Sequence, residues 1–425
     1  MSLSMTELMP NLVFADAKGN IMDFEGLAMV GRSGDYFYPM PCEETIELPR
    51  GSQLYVLPKR HPVGFDRHTG EMVVLTRNPY DESQQIFAVA TFLPAAYTQT
   101  YLASWERRSD SSELPFFAYT ALGWHDGFVA TGIRTDPSLR QDPNTFHHDR
   151  IRQGIRAFTE LFPDNRLVEH LQHCAMVYEC PAALNLFQDR EEAPLPASPF
   201  CNARCVGCIS KQDPCRPPSP QQRIDFIPSP QEIAEVALKH IFSAQNPVVS
   251  FGQGCEGEPL LVADTLRDAI RLIRKETSKG VINLNTNASL PEKVAELADA
   301  GLDSMRISMN SARRSTYEAY FQPSYDFDAL FRSAQEMKRR ERFVSINLFV
   351  FPGLSDAPKE VEALKRFVSD AKIDMIQWRN LNIDPDHYLD TIGQKLPAGM
   401  GIPRLIHEIP VRAGYFNPYL DLGMS

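Results

Sequence analysis

The sequence predicts an α/β protein, a parallel sheet covered by helices, preceded by a β-rich N-terminal domain over residues 1–190. Three observations predict it. Apolar runs alternate with amphipathic helical stretches from residue 221 to 385, the pattern of repeated βα units joined by right-handed crossovers. Residues 1–190 hold mostly short alternating or apolar runs, such as LVFAD, DYFYP, SQLYVLP, EMVVL, IFAVATFL, FFAYTAL and GFVATGI, with turn signals between them. The proline-rich stretch EEAPLPASPF (191–200) marks the change of texture, and residues 386–425 form a C-terminal extension to the core of 191–385.

Within the N-terminal region the spacing also predicts a helix or two near 149–176. In the core, strands are expected at 247–251 (PVVSF), 281–287 (VINLNTN), 303–309 (DSMRISM), 343–351 (FVSINLFVF) and 373–378 (IDMIQW). The fourth is almost wholly apolar, as a strand covered on both faces should be. No clear strand precedes the cysteine cluster: the core can start with a short or irregular element, or borrow CAMVYEC (174–180). Ser229, Pro230 and Glu232 compose a capping box that opens a helix, and Ser289 with Glu292 repeats the device before a helix ending at Gly301. Val361, Leu364 and Val368 share one face of a helix near 358–371.

The 425 residues carry a formal net charge of -11, which argues against non-specific binding to nucleic acid or anionic membrane. No uninterrupted apolar run is long enough to span a bilayer, and the first residues lack a basic-then-apolar leader, so a cytoplasmic protein is expected. Eight cysteines are too few for a disulfide scaffold of this length, and clustered ones point to metal.

The cluster is SPFCNARCVGCISKQ (198–212), with Cys201, Cys205 and Cys208 in C-x3-C-x2-C spacing. Thiolates bind zinc, copper(I) or iron–sulfur clusters. A structural zinc site closes with four ligands. Three thiolates on a four-iron cube leave one iron open to a substrate or cofactor.

This spacing resembles the signature of the radical SAM superfamily, in texture closest to the branch of the molybdopterin-precursor enzyme and the peptide maturases. The resemblance covers residues 198–385 and implies a partial (β/α)6 TIM-like barrel. It implies a [4Fe–4S] cluster on Cys201, Cys205 and Cys208, whose open iron chelates S-adenosylmethionine. Reductive cleavage then yields a 5'-deoxyadenosyl radical that abstracts hydrogen from a substrate, a peptide, protein or small metabolite. Gly257-Glu258-Pro259 is similar to the family's G-G-E-P segment and implies a contact with the methionine amino group. Glu256 stands where the first glycine of that pair is expected, so either Glu256 or Glu258 can be the ligand. Thr286 and Asn287 resemble the nucleoside-facing end of the next strand. Ser308 and Asn310 resemble the pair that reaches the ribose hydroxyls. Asn347, with Gly353 in the following turn, resembles the strand near the adenine, and Arg379 can meet a carboxylate. Gly207 stands where the family often has an aromatic residue. The resemblance further implies a flavodoxin or ferredoxin as reductant, and the N-terminal domain can serve as a substrate-recognition or lid module.

The competing readings are a structural zinc site closed by Cys215 and a non-catalytic iron–sulfur electron carrier. Glu258 can also simply cap the helix beginning near Leu260. His170, His173, Cys174 and Cys180 form a further group, the first three on one helical face, where a second metal is an alternative to core packing. Cys42 and Cys255 read as buried apolar side chains.

Overall fold

The structure is a computed structural model that describes residues 9–421, so the expected lack of a leader in the first eight residues lies outside the described part. It divides into two compact units. One comprises Asp136–Phe349, Ala363–Trp378 and the residues from Val411 on; the other runs to Thr135 and adds Val350–Glu362 and Arg379–Pro410.

The first unit is built on a seven-stranded sheet: β1 (Glu192–Pro194), β2 (Val248–Phe251), β3 (Val281–Thr286), β4 (Ser304–Met309), β5 (Phe343–Val350), β6 (Met375–Asn380) and β7 (Arg412–Gly414). The spatial order equals the chain order. Helices α1 (His148–Leu161), α2 (Arg166–Met176) and α3 (Pro181–Phe187) precede β1. The crossovers carry α4 (Pro230–Ser243), α5 (Ala263–Glu276), α6 (Pro291–Ala300), α7 (Arg314–Phe321), α8 (Asp328–Arg339) and α9 (Pro358–Asp370). Each strand register given from β1 to β5 is parallel, as is that of β6 with β7.

All six residues of β3 are buried, yet two of them are asparagines, Asn283 and Asn285. Buried amides must be hydrogen-bonded or they cost several kcal/mol. Their partners show how the sheet is shaped. Asn417, three residues past β7, donates to Glu192 on β1 (2.7 Å) and Asn285 on β3 (3.1 Å) and accepts from Gln377 on β6 (2.9 Å). Gln377 in turn accepts from Arg306 on β4 (2.8 Å). In a flat sheet β1 and β6 would lie about 24 Å apart, five strand spacings. One asparagine cannot bridge that gap, so the sheet curls until its inner face closes on a polar belt. Ser250, Asn283 and Ser304 complete the belt through bonds of 2.7–3.3 Å.

The five expected core strands are present within two residues of their predicted bounds, and the expected helices near 149–176 are α1 and α2. Three expectations are corrected. CAMVYEC does not form a strand: Cys174–Met176 ends α2. The first strand is instead Glu192–Pro194, inside the proline-rich stretch; it is an edge strand, where proline is tolerated. Ser289 does not cap α6, whose cap is Leu290 without a side-chain bond; the Ser289 hydroxyl accepts from Asn202 in the cysteine loop instead (2.9 Å). The region read as a C-terminal extension supplies a seventh strand beyond the six implied by the resemblance.

The second unit contains antiparallel sheets. The largest has ten strands, including Asn11–Asp16, Ile21–Ala28, Arg60–Asp66 and Ile86–Phe92. FFAYTAL is the exception among the predicted runs: most of it lies outside named strands, with Thr120 bridging Thr91 and Leu102. Helices α10 (Pro385–Ile392) and α11 (Ile402–Glu408) belong here. Asp384 caps α10 and pairs with the buried Arg60 at 2.8 Å; its carboxylate also accepts from Leu114 N–H (2.8 Å), while Arg60 Nε is left without a partner.

The capping box at Ser229 is present, and its Glu232 does more than close a helix. It accepts from the Ser229 N–H (2.7 Å), the Arg166 N–H (3.0 Å) and the Arg166 guanidinium (2.7 Å), tying the starts of α2 and α4. The Arg166 bond above all holds its carboxyl down at about 2, against an ordinary 4.5. This stabilisation is complete above the unfolded value and is lost as the pH falls from about 4.5 toward 2. Glu232→Gln should therefore cost about 1–2 kcal/mol at pH 7, after allowance for the half-exposed arginine. Urea unfolding should show the two proteins converging below pH 4.

Candidate cluster and cofactor site

The cysteine loop is strapped across the segment after β2. Gly257 N–H donates to Ser198 carbonyl (2.7 Å) and Glu258 N–H to Phe200 carbonyl (2.6 Å), a two-rung ladder ending one residue before Cys201. A Cβ on Gly257 would sit 1.9 Å from the Phe200 oxygen, so only glycine lets the two backbones approach. Glu256 clamps the same junction. One carboxylate oxygen accepts from Ala197 N–H (2.9 Å) and Ser198 N–H (3.1 Å), the other from Gly252 N–H (2.6 Å) and Gln253 N–H (2.7 Å). Gly252 (φ +77°) makes the turn; a Cβ there would lie 1.7 Å from the Asn285 carbonyl oxygen.

The loop's other side is fixed to the end of α7. Arg204 N–H donates to Phe321 carbonyl (3.0 Å), Val206 N–H to Tyr320 carbonyl (2.9 Å) and Ser324 N–H to Asn202 carbonyl (2.9 Å). The Asn202 side chain accepts from Asn287 (2.7 Å) and donates to Ser289 (2.9 Å), linking the loop to the end of β3.

Cys201, Cys205 and Cys208 are half-buried, unpaired thiols. Burial pushes Cys205 well above the ordinary thiol range, and the charges of Cys208 and Cys201 push it further. Among the described residues no three of Cys201, Cys205, Cys208 and Cys215 bring their sulfurs within 4.8 Å of one another. Tetrahedral zinc with bonds of about 2.3 Å needs sulfurs about 3.8 Å apart. Cys215, the proposed fourth zinc ligand, is exposed. Three soft thiolates on one loop, with Cys215 exposed, are a donor set that iron–sulfur units take. Arg223 faces the triad, with its guanidinium 3.6 Å from the Cys208 sulfur and 3.2 Å from the Ser210 hydroxyl.

The two glutamates now separate. Burial pushes both carboxyls up to about 7. A carboxylate has about four acceptor positions. Glu256 fills four with backbone N–H groups, which leaves it no capacity for a ligand. Glu258 accepts from Thr286 Oγ1, Asn287 N–H (2.8 Å) and Leu260 N–H (3.1 Å), which leaves one. The Leu260 bond is the helix cap anticipated from sequence, here for the 3-10 turn Pro259–Val262 that leads into α5. Cap and candidate ligand are the same side chain. Its charge is felt at Cys201, so it borders the thiol triad.

Ser308 and Asn347 are direct partners in the β4–β5 register. Period two places Ser308 on the face of Arg306, which belongs to the polar belt. The buried Asn347 side-chain oxygen, Oδ1, has no hydrogen-bond donor facing it, a deficit that a bound donor can relieve. Asn310 is buried and donates to Thr316 carbonyl (3.2 Å), which tethers α7. Arg379, half-buried, lies two residues beyond Gln377 on β6 and so on the same face of that strand.

Sequence reasoning missed Asn202, Arg223 and the tyrosine pair Tyr317–Tyr325. The hydroxyls of that pair are 2.7 Å apart, and burial, with the charges of Cys205 and Glu258, pushes both far up. Asn202 had a signal, since it lies inside the cysteine motif; Arg223 and the tyrosines had none without the fold.

A curled parallel sheet with a thiol triad and a buried carboxylate beside its strand ends belongs to the α/β proteins that house a thiolate-ligated cofactor. Residues 195–368 match the family profile described as the Radical SAM superfamily, and they contain every residue discussed above for the site except Arg379. The stretch is a radical SAM domain, and its family works with a [4Fe–4S] cluster and S-adenosylmethionine.

In sequence the chain is 26% identical over 160 residues to the GTP 3',8-cyclase of Lactiplantibacillus plantarum, covering 37% of this chain and 44% of that protein. The chain thus spans less than half the length of that curated relative. Among solved structures it resembles native anSMEcpe with bound AdoMet (18% identity, TM-score 0.37, 45% of this chain and 52% of that one). It also resembles methylornithine synthase (PylB), at 12% identity and TM-score 0.34 over 57% of this chain and 66% of that one. Streptococcus suis SuiB bound to precursor peptide SuiA gives 14% identity and TM-score 0.34 over 52% and 51%.

Gly257→Ala tests the strap directly. The added methyl must push the Phe200 carbonyl away, at a cost of about 1–3 kcal/mol. Iron retained after anaerobic reconstitution should drop well below wild type while the far-ultraviolet circular dichroism is kept. Gly254→Ala, in the same turn, meets only side-chain atoms and should retain its iron.

Proposed function

We propose that this protein is a radical SAM enzyme in which Cys201, Cys205 and Cys208 ligate a [4Fe–4S] cluster with one iron open to S-adenosylmethionine. One observation carries the reading: the loop holding the three thiols is strapped by backbone bonds beside a buried carboxylate that keeps one acceptor position. When bound, the cluster supplies the electron that cleaves the sulfonium, and the resulting 5'-deoxyadenosyl radical takes a hydrogen atom from substrate.

The chain's own residues then have distinct tasks. Glu258 accepts the methionine ammonium, and Thr286 and Asn287 fix its orientation. Gly257 lets the cysteine loop lie close enough for that contact, while Glu256 holds the junction and touches no ligand. Ser308 and Asn347 reach the nucleoside, with Asn310 bracing the turn beside them. Arg379 takes a carboxylate of cofactor or substrate. Arg223 places a positive charge beside the thiolates, which favours the reduced, more negative cluster.

The polar belt of Glu192, Asn285, Arg306, Gln377 and Asn417 supports a polar substrate, a peptide or a small metabolite, over a hydrocarbon one. The N-terminal region lies outside the family match and is proposed to select that substrate. The loop after β5 supports this, since Gly34 N–H donates to Pro352 carbonyl (2.9 Å) within the same compact unit. The electron is proposed to come from a flavodoxin or ferredoxin.

The test is anaerobic: reconstitute with iron and sulfide, reduce with dithionite, add S-adenosylmethionine and measure 5'-deoxyadenosine by mass spectrometry. Wild type should form it. Replacing all three cysteines by Ala should abolish both iron and product. Glu258→Gln should keep the iron and bind S-adenosylmethionine about 10–100-fold more weakly, the worth of a charge-assisted hydrogen bond. A cluster that forms while S-adenosylmethionine fails to bind would make the protein an electron carrier.

A further inference from the structure

We propose that His170, Cys174 and Cys255 bind a single divalent ion of the zinc class. The site is separate from the three-cysteine cluster and needs none of its ligands. His170 and Cys174 lie one turn apart on α2 and so on one face. Cys255 comes from the turn after β2, immediately before Glu256. Among the described residues this is the group of three ligating types whose ligand atoms all fall within 4.8 Å of one another.

The Cys174 sulfur is 3.5 Å from His170 Nε2. Tetrahedral zinc with bonds of about 2.3 Å to sulfur and about 2.0–2.1 Å to nitrogen has an S···N edge of about 3.5 Å. The spacing therefore fits one ion between these ligands. Both thiols are almost wholly buried, at 1% and 3% exposure for Cys174 and Cys255. A soft, preformed donor set out of water selects zinc over calcium or magnesium.

Cys180 borders the set, its N–H donating to the Cys174 carbonyl (3.1 Å), while its sulfur stands outside the group of three. The ion would fasten α2 to the turn carrying Glu256 and Gly257, the segment onto which the cysteine loop is strapped.

The experiment is metal analysis of anaerobically purified full-length protein by inductively coupled plasma mass spectrometry. Wild type and the Cys201→Ala/Cys205→Ala/Cys208→Ala variant should each carry about one zinc per chain, although the variant holds no iron. His170→Ala and Cys255→Ser should lose at least about nine-tenths of it. Should the buried Cys255→Ser fail to fold, cobalt(II) in place of zinc in wild type should give tetrahedral ligand-field bands with thiolate charge transfer, and His170→Ala should weaken both. Wild type without zinc, zinc that disappears with the three-cysteine cluster, or a Cys174–Cys255 disulfide in the anaerobic protein would each overturn the proposal.

Discussion

The Glu256 carboxylate collects four backbone N–H groups, two from the approach to Cys201 and two from the turn after β2. Loops carry many unpaired amides, and burying them is costly unless each finds an acceptor. A single buried carboxylate satisfies four at once. It thereby fixes the register between the cysteine loop and the segment Gly257-Glu258. The two-rung ladder, the need for glycine at 257 and the placement of Glu258 beside Cys201 all depend on that register.

The same economy shapes the interior of the sheet. Strands with both faces covered are normally apolar, but β3 carries Asn283 and Asn285 inward. These amides are tolerated because Glu192, Ser250, Ser304, Gln377 and Asn417 answer them. Closure by hydrogen bonds is directional where closure by apolar packing is not, so the belt specifies which strands meet as well as that they meet. It also leaves a polar interior, unusual for a packed core.

How much of this was legible in the sequence follows the range of the interactions concerned. The core strands were legible because period and burial are local properties, as was the capping box at Ser229. The cysteine motif was legible because three ligands within eight residues need no fold to bring them together. Strand β1 was obscured by its prolines, and β7, at three residues, is too short to leave a pattern. Ser289 read as a cap by local rules; a tertiary partner, Asn202, outbid the helix for its hydroxyl. Glu256 and Glu258 could not be separated without knowing how many acceptor positions each had already filled. The group His170–Cys174 was visible as a helical face, but Cys255 joins it across 81 positions of chain, from Cys174 onward.

Residues Val350–Glu362 and Arg379–Pro410 leave the ends of β5 and β6 and pack into the same compact unit as the N-terminal strands. The unit is thus assembled from three separate stretches of chain. A gene fusion or deletion at one point cannot add or remove it, because two of its three parts are written between strands of the parallel sheet. The unit must therefore change by drift of loops already embedded in that sheet, and relatives in which it differs are expected to differ in those two insertions together with the N-terminal strands.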